Sequence, residues 1–243
     1  MIREPDFPRQ PEEQFPNTLK AVDRPANLYQ IRKRLLRNGR PYNIGDDLRT
    51  IPKVIEGFED ILGEPLGEGL YDNHSGGTSQ LVFAIAISQS PSTMEIVRDT
   101  GLMTPSAIVQ RLREAKVLSG MKIIDLGSGS ASFAVAAKAL GAKVYTVDAH
   151  ELMPKRESQL DGHIVINLGS HEAINQIIAE TGGEFDLVTE NIIGEGRRDV
   201  RLIPKDKFKV TIGKIADALL KKGGYLYGDE FGITTSDGPF QKI

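Results

Sequence analysis

A tight glycine-containing turn preceded by an acid is the first feature of this sequence that could do chemistry. The run D-L-G-S-G-S-A occupies residues 125–131 and follows a short apolar stretch. A strand that turns sharply into a helix uses glycines such as Gly127 and Gly129, because the backbone must bend tightly and approach a ligand closely. The first amides of the following helix present unpaired N–H groups and the positive end of the helix dipole. The pattern therefore predicts a nucleotide-binding loop.

A second acid, Asp148, ends the next apolar stretch. A carboxylate there can accept both hydrogen bonds from a ribose diol, which is common to several nucleotides. Dinucleotide loops require a third glycine where this chain has Ser132. Asp125, two residues before the first glycine, adds nothing to pyrophosphate binding, but it can help to bind an ammonium group such as that of S-adenosylmethionine. The residues favour S-adenosylmethionine, and a nicotinamide-dependent oxidoreductase remains an alternative.

Strands and helices are predicted to alternate from residue 121 onward, which is typical of a parallel, doubly wound α/β sheet. Ligands in such sheets bind at the carboxyl ends of the strands, where the strand order reverses. The predicted strands are residues 121–126, 143–147, 164–168, 185–189 and 224–228, and the predicted helices are residues 132–140, 171–180 and 205–220.

The region before residue 104 has a different character. Four prolines in residues 1–16 predict an extended arm, and residues 17–62 have helical spacing in pieces. Residues 81–87 form an apolar run that fits either a buried strand or a buried helix. We expect two parts: a largely helical extension at residues 1–103, as a candidate substrate-binding or oligomerisation element, and a cofactor-binding core at residues 104–243.

Two signals in the first part of the chain allow a nucleic-acid interpretation. Basic residues crowd residues 32–40, although without the interleaved aromatic side chains that single-strand binders use. Residues 95–118 have the outline of a helix-turn-helix with Gly101 in the turn. The solvated face of a surface helix explains the basic run more simply. Thr104 and Pro105, a capping residue followed by a preorganised first residue, mark the start of a helix that leads into the glycine motif.

The order of these pieces resembles the class I (Rossmann-like) S-adenosylmethionine-dependent methyltransferase superfamily. The resemblance runs from about residue 104 to residue 230, a little over half of the chain. It comprises an entry helix at residues 104–109, the glycine motif at residues 123–129, Val147 and Asp148, the strand at residues 185–188 and the turn at residues 219–224. Each piece alone is weak, but five in the right order are specific for the fold.

The resemblance implies S-adenosylmethionine as the cofactor and assigns positions around it. It would place Glu190 and Asn191 toward the sulfonium and the substrate, as the catalytic candidates. The implied cofactor-binding residues are Asp125, Gly127, Ser128 and Gly129 at the methionine end, Asp148 and Ala149 at the ribose, Leu168 and Gly169 beside adenine, and Glu190.

The sequence departs from the family at two places. Ala131 stands where members often have glycine, and we expect alanine to be tolerable at a helix start. After the fifth strand only residues 231–243 remain, whereas the family normally adds a helix and a two-stranded antiparallel pair. Either the sheet is cut short, or the N-terminal region completes it. We take residues 81–87 as the candidate replacement strand.

The methyl acceptor has no signature in this sequence. The Asn/Asp-Pro-Pro-aromatic motif of amino-group methylation is absent, and a small molecule, a protein or RNA all remain open, as does homo-oligomerisation. A general base is needed only if the acceptor must lose a proton. The candidates are Glu190, Glu195, Glu230, His74, His150 and His171. No His, Asp or Glu grouping has a convincing metal-ligand spacing.

The composition is that of an ordinary globular protein of 243 residues with a net charge of −3. Because there is no cysteine, disulfides, thiolate zinc sites and a cysteine nucleophile are excluded. There is no apolar signal stretch and no run of about 20 apolar residues. We expect a cytoplasmic methyltransferase that does not engage a membrane. An inert methyltransferase-like module for cofactor binding or scaffolding is the main alternative.

Overall fold

The computed structural model describes residues 19–22, 57, 76–88, 103–190, 203, 205–228 and 232–236. These residues form seven strands and six helices. The strands are β1 (Leu19–Val22), β2 (Lys122–Leu126), β3 (Lys143–Asp148), β4 (Gly162–Val165), β5 (Phe185–Glu190), β6 (Leu220–Gly228) and β7 (Gly232–Ser236). The helices are α1 (Gly76–Ser88), α2 (Pro105–Glu114), α3 (Ser132–Ala139), α4 (Pro154–Glu157), α5 (Ala173–Thr181) and α6 (Lys205–Leu219).

All seven strands belong to one sheet with the order β1-β7-β6-β5-β2-β3-β4. Strands β2 to β6 run parallel, with β2 flanked by β3 on one side and β5 on the other. The chain therefore winds outward from β2 through β3 and β4, and then crosses back to β5 and β6. The predicted doubly wound α/β fold is confirmed, and its topological switch point lies between β2 and β5.

A separate apolar core covers each face of the sheet. Alternation along β2 sends Ile123 into the core beneath α1, α2 and α3, and Ile124 into the core beneath α5 and α6. Both side chains have no exposed surface. Parallel strands buried on both faces are expected to read as short continuous apolar runs, and that is the pattern from which these strands were predicted.

The start of α2 follows the sequence signal closely. Thr104 is the N-cap residue, and its side chain accepts a hydrogen bond from the amide of Ala107 at 3.3 Å. Pro105 occupies the first turn, where its missing N–H costs nothing. Ile108, Val109 and Leu112 on this helix are buried, so α2 packs on the sheet as a core helix.

The hypothesis that residues 81–87 supply a missing edge strand is wrong. They lie within α1, which packs against α3 and β6. Phe83 stacks on Tyr227 with 4.7 Å between ring centroids and meets the edge of Tyr225 at 5.6 Å. Leu81, Phe83 and Ala84 of this run are buried, so its apolar character reflects packing against the sheet and α3.

The sheet is instead completed by residues from both ends of the chain. Strand β7 follows β6 after only three residues and pairs with it antiparallel. Strand β1 pairs antiparallel with β7, with Leu19 opposite Ser236 and Val22 opposite Ile233. The N-terminal region therefore contributes a strand, but at residues 19–22, within a stretch predicted to be helical. Three residues between β6 and β7 leave no room for the helix that the family normally has there.

Other differences from the predicted elements are small. Strand β4 begins at Gly162 and ends at Val165, earlier than the predicted residues 164–168, and β6 begins at Leu220 rather than residue 224. The proline-rich arm and the basic run at residues 32–40 lie outside the described residues, as do residues 95–102, with Gly101, of the stretch that has the outline of a helix-turn-helix. None of the described helices is long and apolar enough to cross a lipid bilayer.

Candidate functional site

The candidate site lies at the carboxyl ends of β2, β3, β5 and β6. Leu126, the last residue of β2, lies opposite Val147 on one side and opposite Glu190 on the other. Glu190 in turn lies opposite Gly228 at the end of β6. The sequence-predicted acids and the glycine loop are thus gathered along one edge of the sheet at the switch point, which is where ligands bind in open α/β sheets.

The glycine loop is held closed by backbone hydrogen bonds to β3. The amides of Gly127 and Ser128 donate to the carbonyl of Val147 at 2.8 and 3.3 Å. Gly127 has φ 69° and Gly129 has φ 52°, so both adopt the left-handed conformation that favours glycine. The tight turn predicted from the sequence is therefore present, and it leads directly into α3.

Ala131 also has a left-handed conformation, with φ 59° and ψ 24°, as the N-cap residue of α3. Alanine in this region costs about 1–2 kcal/mol relative to the right-handed conformation. Alanine is therefore accommodated here at a cost, because the position has a backbone conformation that suits glycine. The methyl group is fully buried in the core under α1 and α3, which offsets part of that cost.

Asp148 joins β3 to the glycine loop. Its Oδ2 accepts a hydrogen bond from the amide of Gly129 at 3.0 Å, and its Oδ1 accepts one from the amide of His150 at 3.1 Å. The side chain is half-buried. Each carboxylate oxygen can accept a second hydrogen bond, so the group retains the capacity to bind a diol from the solvent side.

The residues after Asp148 are fixed by an imidazole bridge. The Nε2 of His163 contacts the carbonyl of His150 at 2.9 Å, and its Nδ1 contacts the hydroxyl of Thr146 at 2.8 Å. With Nε2 donating to the His150 carbonyl and Nδ1 paired with the Thr146 hydroxyl, the ring satisfies both partners. The ring thereby ties the loop that carries Asp148 and Ala149 to β4.

Asp125 is fully buried and lies beside Thr189 on the neighbouring strand. The Thr189 hydroxyl donates to Asp125 Oδ1 at 2.7 Å, while Oδ2 has no hydrogen-bond partner among the described residues. Burial raises the pKa of this carboxyl from 3.8 to about 7; the Thr189 hydrogen bond lowers it, and the charge of Asp148 raises it further. A buried acceptor without a donor costs free energy, so Asp125 Oδ2 is suited to receive a ligand donor.

Glu190 is buried at the end of β5, with 2% of its surface exposed. Its carboxylate lies against Gly228: a Cβ added to that glycine would collide with Oε2 and lie 2.9 Å from the Glu190 Cβ. Its backbone carbonyl accepts a hydrogen bond from the Nε2 of Gln80 on α1 at 3.2 Å. Glu190 is thus positioned by two contacts: β6 packs against its carboxylate, and α1 donates a hydrogen bond to its backbone carbonyl.

Gln80 was not identified from the sequence. It is 2% exposed, 110 residues from its hydrogen-bond partner, and its Oε1 has no partner among the described residues. If residues 81–87 are taken as a buried helix, Gln80 lies one turn before Ala84 and on the same buried face. A polar residue at that position would have indicated a buried polar contact.

The loop after β4 contains Leu168 and Gly169, the residues implied to flank adenine. Leu168 is 4% exposed. The amide of Gly169 donates to the side chain of Asn167 at 2.8 Å, which fixes the turn. His150 and His171 are exposed. Asn191, Glu195, His74 and Glu230 lie outside the described residues.

No group of three or more His, Asp or Glu side chains that could hold a metal ion occurs among the residues that the structure describes.

Comparisons with known proteins give partial matches. No protein-family model matches the chain. A ribosomal protein L11 methyltransferase from Thermosipho melanesiensis is 30% identical over 97 residues, which are 40% of this chain and 37% of that protein. One from Symbiobacterium thermophilum is 33% identical over 116 residues, 45% of this chain and 38% of that protein. The matches therefore span little more than a third of the length of these relatives.

Among solved structures, a ribosomal protein L11 methylase from Lactobacillus delbrueckii subsp. bulgaricus aligns with 20% identity and a TM-score of 0.32. The alignment covers 49% of this chain and 58% of that one.

Proposed function

We propose that this chain, a member of the class I (Rossmann-like) S-adenosylmethionine-dependent methyltransferase superfamily, binds S-adenosylmethionine at the switch point and transfers its methyl group to an acceptor. One observation carries the proposal. The glycine loop, Asp125 and Asp148 meet at the carboxyl ends of adjacent parallel strands, with buried acceptor atoms left open. The cofactor would supply a methyl group already activated on a sulfonium.

The described residues fit this cofactor. The half-buried Asp148 has acceptor capacity left for the ribose hydroxyls after its two backbone hydrogen bonds. Asp125 Oδ2 is a buried acceptor that an ammonium group could satisfy. Leu168 and Gly169 would border the base, and the amides at the α3 N-terminus would border the methionine carboxylate. Ser128 and Ala149 complete this set of proposed cofactor residues.

The protein's contribution to methyl transfer would be mainly to hold two reactants in line. Glu190 ends β5 beside the glycine loop, so we assign it to the acceptor side, with Asn191 as the second candidate. A buried carboxylate at this position can take a proton from an acceptor that must lose one. The packing of Glu190 against Gly228 would keep that carboxylate in one orientation.

A protein is the acceptor class to test first. The curated relatives are named for methylation of ribosomal protein L11, and we propose that this chain also acts on a protein, in the cytoplasm. The complete absence of cysteine from the sequence is compatible with a reducing compartment. Residues 1–103 are proposed to carry acceptor recognition, and residues 104–243 the cofactor site.

Isothermal titration of the full chain with S-adenosylmethionine, S-adenosylhomocysteine and NAD tests the proposal. We expect both sulfur nucleotides to bind and NAD not to bind. A folded chain that binds neither sulfur nucleotide would refute a methyltransferase. Binding without turnover on ribosomal proteins, RNA or a cell extract would instead favour an inert cofactor-binding module.

A further inference from the structure

Helix α1 brings a buried amide from the N-terminal region to the edge of the candidate site. Gln80 is 2% exposed, and its Nε2 donates to the carbonyl of Glu190 at 3.2 Å. The orientation of the amide is set by that carbonyl, because the reversed amide would place two acceptor oxygens together. The Oε1 atom of Gln80 is therefore buried and has no hydrogen-bond donor among the residues that the structure describes.

Gln80 and Asp125 lie on the same face of the sheet. Leu81, Phe83 and Ala84 of α1 belong to the core that also contains Ile123 and Leu187. Because side chains alternate along a strand, Asp125 and Thr189 point toward that same face, two residues beyond Ile123 and Leu187. Gln80 approaches this face at Glu190, the residue after Thr189. The amide and the buried carboxyl are thus at adjacent positions of one sheet edge.

The two side chains share an unusual property. When Asp125 is ionised, its Oδ2 and Gln80 Oε1 are both buried acceptor oxygens without a hydrogen-bond donor in the described part of the chain. Buried polar atoms are almost always paired in folded proteins, so two open acceptors of the same kind at one sheet edge indicate a ligand with several donors. An ammonium group has three N–H donors and no acceptor, and it is the chemical complement of this pair.

We propose that Gln80 binds the ammonium group of the methionine moiety of S-adenosylmethionine through Oε1, together with Asp125. The inference rests on the proposed function, since it concerns the same cofactor. It assigns the N-terminal helix α1 a direct part in the cofactor site, which was expected to begin at residue 104. The hydrogen bond from Nε2 to Glu190 would hold the amide in the binding orientation, so the same side chain links the methionine end to the acceptor side.

Two ligands that differ in the amino-acid moiety test this role. S-adenosylhomocysteine carries the ammonium group, and 5′-methylthioadenosine keeps the adenosine and the sulfur but lacks it. We expect Gln80→Leu to weaken S-adenosylhomocysteine binding about tenfold, the size of one hydrogen bond to a charged group. Binding of 5′-methylthioadenosine should remain within twofold of the unaltered chain, and this also reports that the site is folded.

Two further variants complete the experiment. Gln110→Leu removes an exposed glutamine of α2 whose side chain donates a hydrogen bond to Glu114, and should leave both affinities unchanged. Gln80→Met keeps the length of the side chain if the branched leucine prevents folding, and should show the same selective loss. Equal weakening of both ligands, or no weakening in either Gln80 variant, would overturn the proposal. If the unaltered folded chain binds neither ligand, the proposed function fails instead.

Discussion

Asp148 Oδ2 accepts a hydrogen bond from the amide of Gly129 at 3.0 Å, across the gap between the end of β3 and the glycine loop. The contact couples the two sequence features that first indicated a nucleotide site. Asp148 fixes the glycine loop from one side, and in the proposed site it would also present acceptor capacity to the ribose from the other. Its removal should affect binding through both.

Asp148→Ala should weaken binding of S-adenosylmethionine by roughly 1–3 kcal/mol, because the ribose hydroxyls lose their acceptor and the Gly129 amide loses its partner. Asp148→Asn keeps one acceptor oxygen and should lose less. Isothermal titration gives both values. Glu151→Ala, which removes an exposed carboxylate three residues later, is the matched control and should bind like the unaltered chain. Unchanged affinity in Asp148→Ala would exclude the ribose role.

Asp125 should make stability decrease as the pH rises toward neutrality. Its pKa is raised to about 7 in the folded protein by burial, so between about pH 4 and pH 7 the folded chain holds a proton that the unfolded chain has released. The free energy of unfolding from this group is therefore greatest below about pH 4 and falls by up to about 1.4 kcal/mol per pH unit until about pH 7.

Urea unfolding of the unaltered chain and Asp125→Asn at pH 5, 6, 7 and 8 measures this dependence. As the pH rises, the free energy of unfolding of Asp125→Asn should increase relative to that of the unaltered chain. The difference should become constant above about pH 7. Glu151→Gln, the same kind of substitution at an exposed carboxylate, provides the control. A constant difference for Asp125→Asn would mean that its carboxyl titrates normally in the folded protein.

The central part of the fold and the two acids were predictable because their signals are local. A strand, Gly127, Gly129 and a helix start follow one another within about a dozen residues, and the apolar runs of β2 and β5 reflect burial on both faces. Local spacing also predicted that Asp125 and Asp148 would lie at the ends of two successive strands. These features require no knowledge of which distant segments pair.

Strand β1 and Gln80 were missed because both depend on contacts between distant segments. Residues 19–22 contain only a short mixed pattern, and their strand conformation is defined by pairing with β7 at the other end of the chain. Gln80 bonds a carbonyl 110 residues away. The run at residues 81–87 was ambiguous because periodicity cannot separate a fully buried helix from a buried strand; only packing against Tyr225 and Tyr227 decides it.

Gly228→Ala should displace the Glu190 carboxylate. The added Cβ would collide with Oε2 and lie 2.9 Å from the Glu190 Cβ, so we expect a loss of about 1–3 kcal/mol in the free energy of unfolding together with reduced methyl transfer. Glu190→Ala removes the colliding carboxylate. In urea unfolding, the double variant should therefore be more stable than the sum of the two single effects predicts. Simple additivity would show that the two side chains do not meet.

The pairing of β1 with β7 predicts which pairs of introduced cysteines can form a disulfide. The sequence has no cysteine of its own that could compete in this test. Ala21 lies opposite Thr234, and Lys20 lies opposite Thr235. Opposed Cα atoms in antiparallel strands are about 4.5–5.5 Å apart, within the range that disulfides span. Two double variants test this register: Ala21→Cys with Thr234→Cys, and Lys20→Cys with Thr235→Cys. Both should form a disulfide on oxidation, and the double variant at the non-hydrogen-bonded pair should form it faster.

Non-reducing electrophoresis and peptide mass mapping would detect the crosslink. Ala21→Cys with Ser236→Cys is two residues out of register, about 7–8 Å apart on the diagonal, and should oxidise slowly. Because the bond closes a loop of more than 200 residues, the chain-entropy model predicts that the matched pair raises the free energy of unfolding by about 5 kcal/mol. Equal oxidation of matched and mismatched pairs would mean that residues 19–22 do not complete the sheet, and the N-terminal region would lose its proposed structural role.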